Sequence, residues 1–152
     1  TAQEFFKNDR FATNAGVDEE IKEGYSKARL VITAEHLNAG GRTQGGAIFT
    51  LADLALAAAA NSHGTLAFSL SSNITFLRSS GPGDVLYAEA RERYIGRTTG
   101  YYQIDITNQD GKLIATFESS DSEKAIRYRS AYRATGYKLQ VLRYVPKGTC
   151  SS

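Results

Sequence analysis

The chain has 152 residues, a hydrophobic content of 41%, a formal net charge of +2 and a single cysteine. These values are typical of one globular domain with a core of its own, and they exclude disordered, collagen-like and disulfide-stapled classes. With no recognisable leader or membrane-spanning run, and no partner for Cys150 in an internal disulfide, we expect a protein of the reducing cytoplasm.

The first part of the chain predicts a short helix, two strands and a loop. Residues 1–14 contain three phenylalanines at spacings that favour an amphipathic helix packed on the body. The acidic segment between Gly16 and Gly24 predicts an edge strand and a turn, and residues 25–33 predict a second strand because apolar positions nearly alternate there. Residues 35–43 are rich in Asn and Gly and predict a loop.

The stretch from Gly45 to Asn61 is rich in Ala and Leu and predicts a helix of about four turns. Because its apolar residues go all the way round, and because it is short for a membrane span, we expect a core helix buried on every side. Asp53 is the only formally charged side chain between Arg42 and Arg78. A carboxylate in such a place is costly unless partnered, which makes Asp53 a functional candidate. The alternatives are an acid on an exposed edge and a hydrogen-bonded core acid.

Four strands are predicted after the helix, over residues 66–77, 85–95, 101–107 and 112–118, and an Asn-Gln-Asp-Gly turn joins the last two. One long helix followed by antiparallel strands implies an α+β fold in which a curved sheet wraps around the helix. We therefore expect one domain over residues 1–118.

Residues 119–152 form a basic extension of uncertain structure. They hold 7 basic and 2 acidic residues, a net charge of +5, whereas residues 1–118 hold 11 and 14, a net charge of −3. Within the extension, residues 122–134 fit a helix and residues 137–145 fit a strand. Basic residues interleaved with tyrosines are compatible with nucleic-acid binding, but no such motif accompanies them, so a solvated extension or an extra edge element is favoured.

Four short motifs occur between residues 36 and 78: His36-Leu37-Asn38, Gln44-Gly45-Gly46-Ala47, Phe49-Thr50-Leu51-Ala52-Asp53 and Asn73-Ile74-Thr75-Phe76-Leu77-Arg78. With these motifs, residues 5–118 resemble the hotdog-fold acyl-CoA thioesterases of the phenylacetic-acid-degradation (PaaI-like) type. The resemblance implies an antiparallel sheet around a central helix and an acyl-CoA substrate, and we expect the acyl group to be aryl or of medium length. It also implies a homo-oligomer, either a dimer or a dimer of dimers, with active sites between subunits. No separate cofactor is expected, since coenzyme A is part of the substrate.

By position, the resemblance implies a catalytic set of Asn38, Gly45, Asp53 and Ser71. Gln44 stands where the family most often has His; its amide can form hydrogen bonds but cannot carry a proton. Asn38 is equally well interpreted as a turn-forming residue, and Ser71 as a small residue where sheet and helix pack closely.

The remaining candidates concern CoA binding and metal binding. Arginines on or beside the late strands are suited to bind the CoA phosphates. With the second glycine of the Gly-Gly pair, the candidates for CoA binding are Gly46, Arg78, Arg91, Arg93 and Arg97. The two histidines have structural interpretations, His36 in loop packing and His63 at the end of the helix. We expect no metal site, because two histidines and one terminal cysteine offer few ligands.

Thioester hydrolysis requires a donor for the oxyanion and a nucleophile or base. The Gly45 N–H at the start of the helix is such a donor, and Asp53 is suited to attack the thioester or to deprotonate a water. Eight residues of one helix separate them by about 12 Å, whereas both must lie about 3 Å from the reacting group. The site therefore requires Gly45 of one chain and Asp53 of another.

Two other function classes remain open. Gln44 is compatible with a non-catalytic acyl-CoA-binding or regulatory module, which would bind CoA compounds without turnover. A hotdog dehydratase or hydratase is less favoured, because those chemistries use an acid/base His and the predicted helix contains none.

Overall fold

The computed structural model describes residues 9–127, and this part of the chain contains two α-helices and six β-strands. In chain order they are α1 (Arg10–Ala15), β1 (Val17–Lys22), β2 (Tyr25–Val31), α2 (Gly45–Ala60), β3 (Thr65–Phe76), β4 (Val85–Ile95), β5 (Thr99–Thr107) and β6 (Leu113–Arg127). The predicted central helix and strands are confirmed, apart from the end of β6. Of the predicted N-terminal helix, residues 1–8 lie outside the described part and the rest is α1.

The strands form one antiparallel sheet in the order β1-β2-β4-β5-β6-β3, and α2 contacts every one of them. Along β2 and β4 buried residues alternate with more exposed ones, as a sheet covered on one face requires. The buried positions of β4 are Leu86, Ala88 and Ala90, which face the helix together with Ile104 and Ile106 of β5. This confirms the predicted α+β fold, a sheet wrapped around a central helix.

Helix α2 is covered by its own chain on most sides but not on all of them. Leu51, Ala52 and Ala55 are fully buried, whereas Phe49 and Asp53 are exposed. The prediction of a helix buried all round is therefore wrong for the single chain. The exposed residues are four positions apart and share one face. Because small residues such as Gly46 and Ala57 make up much of the rest of that face, composition alone does not reveal that it lacks a cover.

Helix α2 continues into a 3₁₀ turn, so that the helical segment Gly45–His63 has 19 residues and a mean hydropathy of 1.2. By length and composition it is long enough to cross a membrane, and the sequence-based interpretation underestimated its length. More than half of the segment is buried inside the fold, against the sheet. Its packing is that of a core helix, as predicted.

Strand β6 is 15 residues long and ends at Arg127. The body was predicted to end at Glu118, a position that lies inside this strand. Residues 119–122 are Ser-Ser-Asp-Ser, which have a weak intrinsic preference for strands, but β3 and β5 pair with them on both sides. The first residues of segment 122–134, for which a helix was predicted, are therefore strand. Residues 128–152 lie outside the described part, and the predictions for them remain untested.

Strand β3 lies at an edge of the sheet and has 12 residues. Apolar side chains along it are exposed, among them Phe68, Leu70 and Phe76 with 48%, 62% and 52% of their surface accessible. A long, apolar edge strand is a template for pairing with another chain. The uncovered face of α2 belongs to the same molecule, so two features favour association with a further chain.

Candidate active site

The N-terminus of α2 begins at Gly45, and Gln44 is its N-cap. The Gly45 N–H donates to Oε1 of the Gln44 side chain at 2.9 Å. Gly45 also lies against the ring of Phe76, because a Cβ atom there would be 3.0 Å from the Phe76 Cζ. The Gly45 N–H, which the sequence analysis assigned to the oxyanion, therefore lies at the start of the helix. In the single chain it is already hydrogen-bonded to the side-chain carbonyl of Gln44.

Asn38 organises the loop that leads into α2. Its Oδ1 accepts hydrogen bonds from the backbone N–H groups of Gly40 and Arg42, at 2.9 and 3.2 Å, and its own N–H donates to the Arg42 carbonyl at 2.7 Å. These contacts agree with the alternative interpretation of Asn38 as a turn-forming residue. They leave its Nδ2 group as the part of the side chain that is suited to contact a substrate.

Asp53 lies two turns into α2, on the face that the single chain leaves uncovered. Of the alternatives raised from the sequence, an exposed position is observed and a hydrogen-bonded core position is not. Desolvation by its surroundings raises the pKa of the Asp53 carboxyl, and the negative charge of Asp9 raises this pKa further. Desolvation together with a nearby like charge is a combination found at functional sites, which keeps Asp53 a functional candidate.

A second acid, Asp121, is buried on strand β6 and was missed by sequence reasoning. It is 2% exposed on β6, and its Oδ1 accepts from the Ser119 hydroxyl at 2.7 Å, which in turn lies 3.0 Å from the Ser72 hydroxyl. Burial raises the pKa of Asp121, the Ser119 hydrogen bond lowers it, and the charge of Asp53 raises it. Asp121 escaped notice because it follows the predicted end of the body.

Two serines of β3 differ in their relation to this acid. Ser69 is in register with Asp121, and residues directly opposite one another project from the same face of a sheet. Ser71, the predicted catalytic serine, is exposed and pairs with Ser120, the residue before Asp121 in β6. The register shifts between Ser69 and Ser71, so a local irregularity separates the two. Counting positions in the sequence does not reveal such a bulge.

The four predicted CoA-binding arginines do not form one cluster. Arg91 donates to Glu89 at 3.0 and 3.1 Å, and Arg93 donates to Gln103 at 2.8 Å, all on strands β4 and β5. Arg78 follows β3, and Arg97 lies in the turn between β4 and β5.

A further arginine, Arg42, was not predicted as part of the site. Arg42 lies in the loop that leads into α2, and its Nε donates to the Ser79 hydroxyl at 2.6 Å. Ser79 is the residue after Arg78. This contact links the loop that leads into α2 to the segment that follows β3.

The two histidines have structural contacts. Nδ1 of His36 lies 3.0 Å from the Thr33 nitrogen and its Nε2 lies 3.1 Å from the Asn14 carbonyl oxygen, which ties the loop to α1. His63 contacts the carboxylates of Glu92 and Glu23. Loop packing by His36 is confirmed, and His63 forms an ion pair or hydrogen bond at the end of the helical segment in addition to any capping.

An apolar groove of about 580 Å³ lies beside the start of α2. Its walls include Phe11 of α1, Leu37 of the loop, and Ala47 and Phe49 of α2, with Gln44 at the end next to Gly45. Pockets of about 300–1,000 Å³ hold small organic ligands. The groove therefore places an apolar surface directly beside the candidate oxyanion donor.

Replacing Asp121 with Asn is expected to stabilise the protein at pH 8 and to have little effect at pH 4. Because the folded pKa is raised, the folded chain holds the proton more tightly than the unfolded chain, so stability falls as the pH rises from about 3.9 through the folded pKa. Asn avoids this loss and can still accept from Ser119. We expect a gain in Tm of about 3 °C at pH 8, measured by thermal unfolding at both pH values.

The matched control is Asp105→Asn, which removes an exposed carboxylate from the neighbouring strand β5 and is expected to change Tm by less at either pH. An equal loss of stability by Asp121→Asn at pH 4 and pH 8 would contradict the prediction.

Comparison with known proteins places the chain among thioesterases. The thioesterase superfamily matches residues 40–115. A putative esterase of Archaeoglobus fulgidus is 47% identical over 96 residues, which span 63% of this chain and 62% of that protein. The acyl-coenzyme A thioesterase PaaI of Escherichia coli is 39% identical over 117 residues, 76% of this chain and 84% of that protein.

Solved structures agree with this assignment. The structure of E. coli PaaI superposes with a TM-score of 0.78 at 35% identity and covers 81% of this chain and 90% of that chain. A hypothetical thioesterase of Streptococcus pneumoniae, solved with coenzyme A, has a TM-score of 0.69 at 28% identity over 72% of this chain and 88% of that chain. Variants of the S. pneumoniae protein have Ala in place of an aspartate and, 16 positions later, of a threonine. The resemblance to PaaI-like proteins and the predicted hotdog fold are confirmed, and the chain belongs to the thioesterase superfamily.

Proposed function

We propose that this chain hydrolyses acyl-CoA thioesters to the free acid and CoA, as a cytoplasmic homo-oligomer that needs no further cofactor. The observation that carries the proposal is the position of Asp53, an exposed acid with a raised pKa on the same helix whose first N–H group belongs to Gly45. The name of E. coli PaaI and the coenzyme A in the S. pneumoniae structure support this substrate class.

The site is completed by a second copy of the chain. Gly45 and Asp53 are eight residues apart in α2, about 12 Å along the helix axis, so one chain does not bring both within about 3 Å of one carbonyl group. Antiparallel pairing of two α2 helices across a two-fold axis would bring Gly45 of each chain to Asp53 of the other. The uncovered face of α2 and the exposed apolar edge of β3 are the surfaces that this dimer would bury.

The chemistry follows from these two groups. The ionised Asp53 either attacks the thioester carbon, releasing the CoA thiolate and leaving an anhydride that water hydrolyses, or removes a proton from the attacking water. In both routes the carbonyl oxygen becomes an oxyanion that accepts a hydrogen bond from the Gly45 N–H. The dipole of α2 strengthens this donor, which is worth on the order of 3 kcal/mol in the transition state.

Ser69 is proposed as a supporting hydroxyl in addition to the predicted Ser71. It lies 16 positions after Asp53, the separation of the aspartate and threonine that were replaced in the S. pneumoniae protein. Ser69 also shares a face of the sheet with Asp121, whereas Ser71 is paired one position away. Asn38 would contact the substrate through its Nδ2 group, because its Oδ1 holds the loop.

The groove and the arginines complete the proposal. Phe11, Leu37 and Phe49 provide apolar walls suited to an aryl or medium-chain acyl group. Arg42 and Arg78 are proposed as contacts for the CoA phosphates in addition to Arg91, Arg93 and Arg97, because Arg42 lies in the loop that leads into α2 and its Nε donates to Ser79, the residue after Arg78. Gly46, next to the oxyanion donor, also lines the groove.

The test is a panel of phenylacetyl-, benzoyl-, hexanoyl- and palmitoyl-CoA with the purified chain, in which released CoA is measured with a thiol reagent. We expect turnover of the aryl and hexanoyl substrates at least tenfold above palmitoyl-CoA, by a protein that sediments as a dimer or tetramer. Tight CoA binding with no turnover of any substrate would instead support the acyl-CoA-binding module. A monomer with full activity would contradict the two-chain site.

A further inference from the structure

The side chain of Gln44 lies on the hydrogen-bond donor that the proposed reaction needs. Its Oε1 accepts from the Gly45 N–H at 2.9 Å. A backbone N–H has one hydrogen and gives one strong hydrogen bond. The Gln44 amide carbonyl therefore occupies the position that the proposed function assigns to the carbonyl oxygen of the thioester.

The backbone of Gln44 is held in place independently of its side chain. Its N–H donates to the His36 carbonyl at 2.8 Å, and its carbonyl accepts from the Ala47 N–H at 2.9 Å. The Gln44 side chain, in contrast, is exposed and lines the end of the apolar groove. Rotation of the side chain would uncover the Gly45 N–H without moving the loop or the helix.

We propose that Gln44 is a specificity-determining residue that competes with the substrate for the Gly45 N–H, so that a ligand must present a carbonyl oxygen at this point to displace it. This inference rests on the proposed function, because it assumes that the thioester oxygen binds at Gly45. A ligand with the same CoA and acyl parts but no carbonyl oxygen leaves the Gln44 contact in place. The competition therefore acts on one chemical feature of the ligand, and binding of the CoA part is independent of it.

A matched pair of unreactive ligands separates these contributions. In the first, a methylene group replaces the thioester sulfur of phenylacetyl-CoA and the carbonyl is kept; in the second, S-(2-phenylethyl)-CoA, the sulfur is kept and the carbonyl is absent. The Kd of each is measured by calorimetry for the wild type and for Gln44→Met, Gln44→Ala and Gln44→Glu. Met keeps the length of the side chain and removes the oxygen acceptor, and Glu keeps an acceptor and gives it a charge.

We expect Gln44→Met and Gln44→Ala to bind the ketone about fivefold more tightly relative to the thioether, since a neutral hydrogen bond no longer has to be displaced. Gln44→Glu is expected to bind the ketone about tenfold more weakly relative to the thioether, because a charged acceptor holds the N–H more strongly. Using the ratio of the two Kd values removes any general effect of the substitutions on helix capping or on CoA binding.

The outcomes are distinguishable. If all variants bind the ketone and the thioether in the wild-type ratio, the role of Gln44 is overturned and the proposed function is unaffected. If the wild type binds neither ligand and turns over no acyl-CoA of the panel, the proposed function fails, and the inference fails with it. A higher ketone-to-thioether preference in both Met and Ala variants, together with a lower one in the Glu variant, supports the competition.

Discussion

Asp53→Asn is expected to lower kcat for the best acyl-CoA substrate by at least a thousandfold. Asn has nearly the same size and shape, but its amide neither attacks a thioester nor accepts a proton from water, and loss of an essential base or nucleophile has effects of this order. Binding of the unreactive ketone ligand should change by less than about fivefold. Release of CoA and the Kd of the ketone are the two measurements.

The matched control is Asp9→Asn. Asp9 caps α1 by accepting from the Ala12 N–H at 2.9 Å, and its charge contributes to the raised pKa of Asp53. Asn is an equally good cap, so this variant removes the charge and keeps the local structure. We expect kcat to be retained and the loss of activity at acidic pH to move to lower pH, because Asp53 must be ionised to act.

Two results would count against this role of Asp53. One is a kcat of Asp53→Asn within tenfold of the wild type, and the other is an Asp53→Asn variant that keeps the acid limb of the wild type; an acid limb that stays in place in Asp9→Asn would contradict only the contribution of Asp9. The two chemical routes are separated by a single turnover in ¹⁸O-labelled water. Label in the Asp53 carboxylate indicates a nucleophile whose anhydride water cleaves at the Asp53 carbonyl carbon, whereas label confined to the product acid excludes that route and is the result that a base gives.

The sequence was sufficient for the fold because its local signals agree with one another. The Ala- and Leu-rich stretch that begins at Gly45 has the highest helix propensity, and the strands after it alternate and end at turn residues. Both signals depend on neighbouring residues, so they are visible without a structure. The motif around Asp53 was informative for a different reason, since a single charge in an apolar helix needs a physical explanation.

What the sequence did not reveal depends on contacts between distant residues. The end of β6 was missed because Ser119, Ser120 and Ser122 have weak strand preference, and only pairing with β3 and β5 holds them in the sheet. Asp121 became visible only with that pairing. The uncovered face of α2 was missed because an exposed Ala or Gly and a buried one look alike in a sequence.

The side-chain contact between Gln44 and Gly45 is local, yet the sequence did not predict it. An amide next to a helix start has several rotamers, and the preference of N-caps for shorter side chains gives no reason to expect Gln to bind the first N–H. The structure shows the orientation of the Gln44 side chain, whose Oε1 accepts from the Gly45 N–H. Because of this contact, substitutions at Gln44 and Gly45 test the proposed site as directly as a substitution at Asp53.

Gly45→Pro is expected to lower kcat by about 10²–10³-fold while the fold is kept. Pro lacks the N–H that would bind the oxyanion, and removing one such donor has effects of this size. The position tolerates Pro in other respects, because the first residue of a helix needs no intrahelical N–H bond. Gln44 has φ −63° and ψ 132°, an extended conformation that suits a residue before Pro.

The control for the added side chain is Gly45→Ala. It keeps the N–H but introduces a Cβ atom 3.0 Å from the Phe76 Cζ, at the far end of a ring that is 52% exposed and can move. We therefore expect Gly45→Ala to lose less than tenfold in kcat. An equal loss in the Ala and Pro variants would assign the effect to crowding against Phe76 and would contradict the role of the N–H.

Mixing the two inactive variants tests whether the site is shared between chains. If Asp53→Asn and Gly45→Pro subunits are refolded together in equal amounts, half of the dimers contain one of each. In such a dimer the intact Asp53 of one chain meets the intact Gly45 of the other, and the second site carries both defects. Activity should therefore recover to about a quarter of the wild-type value. A site contained within one chain would stay inactive at every ratio, because neither subunit carries both groups.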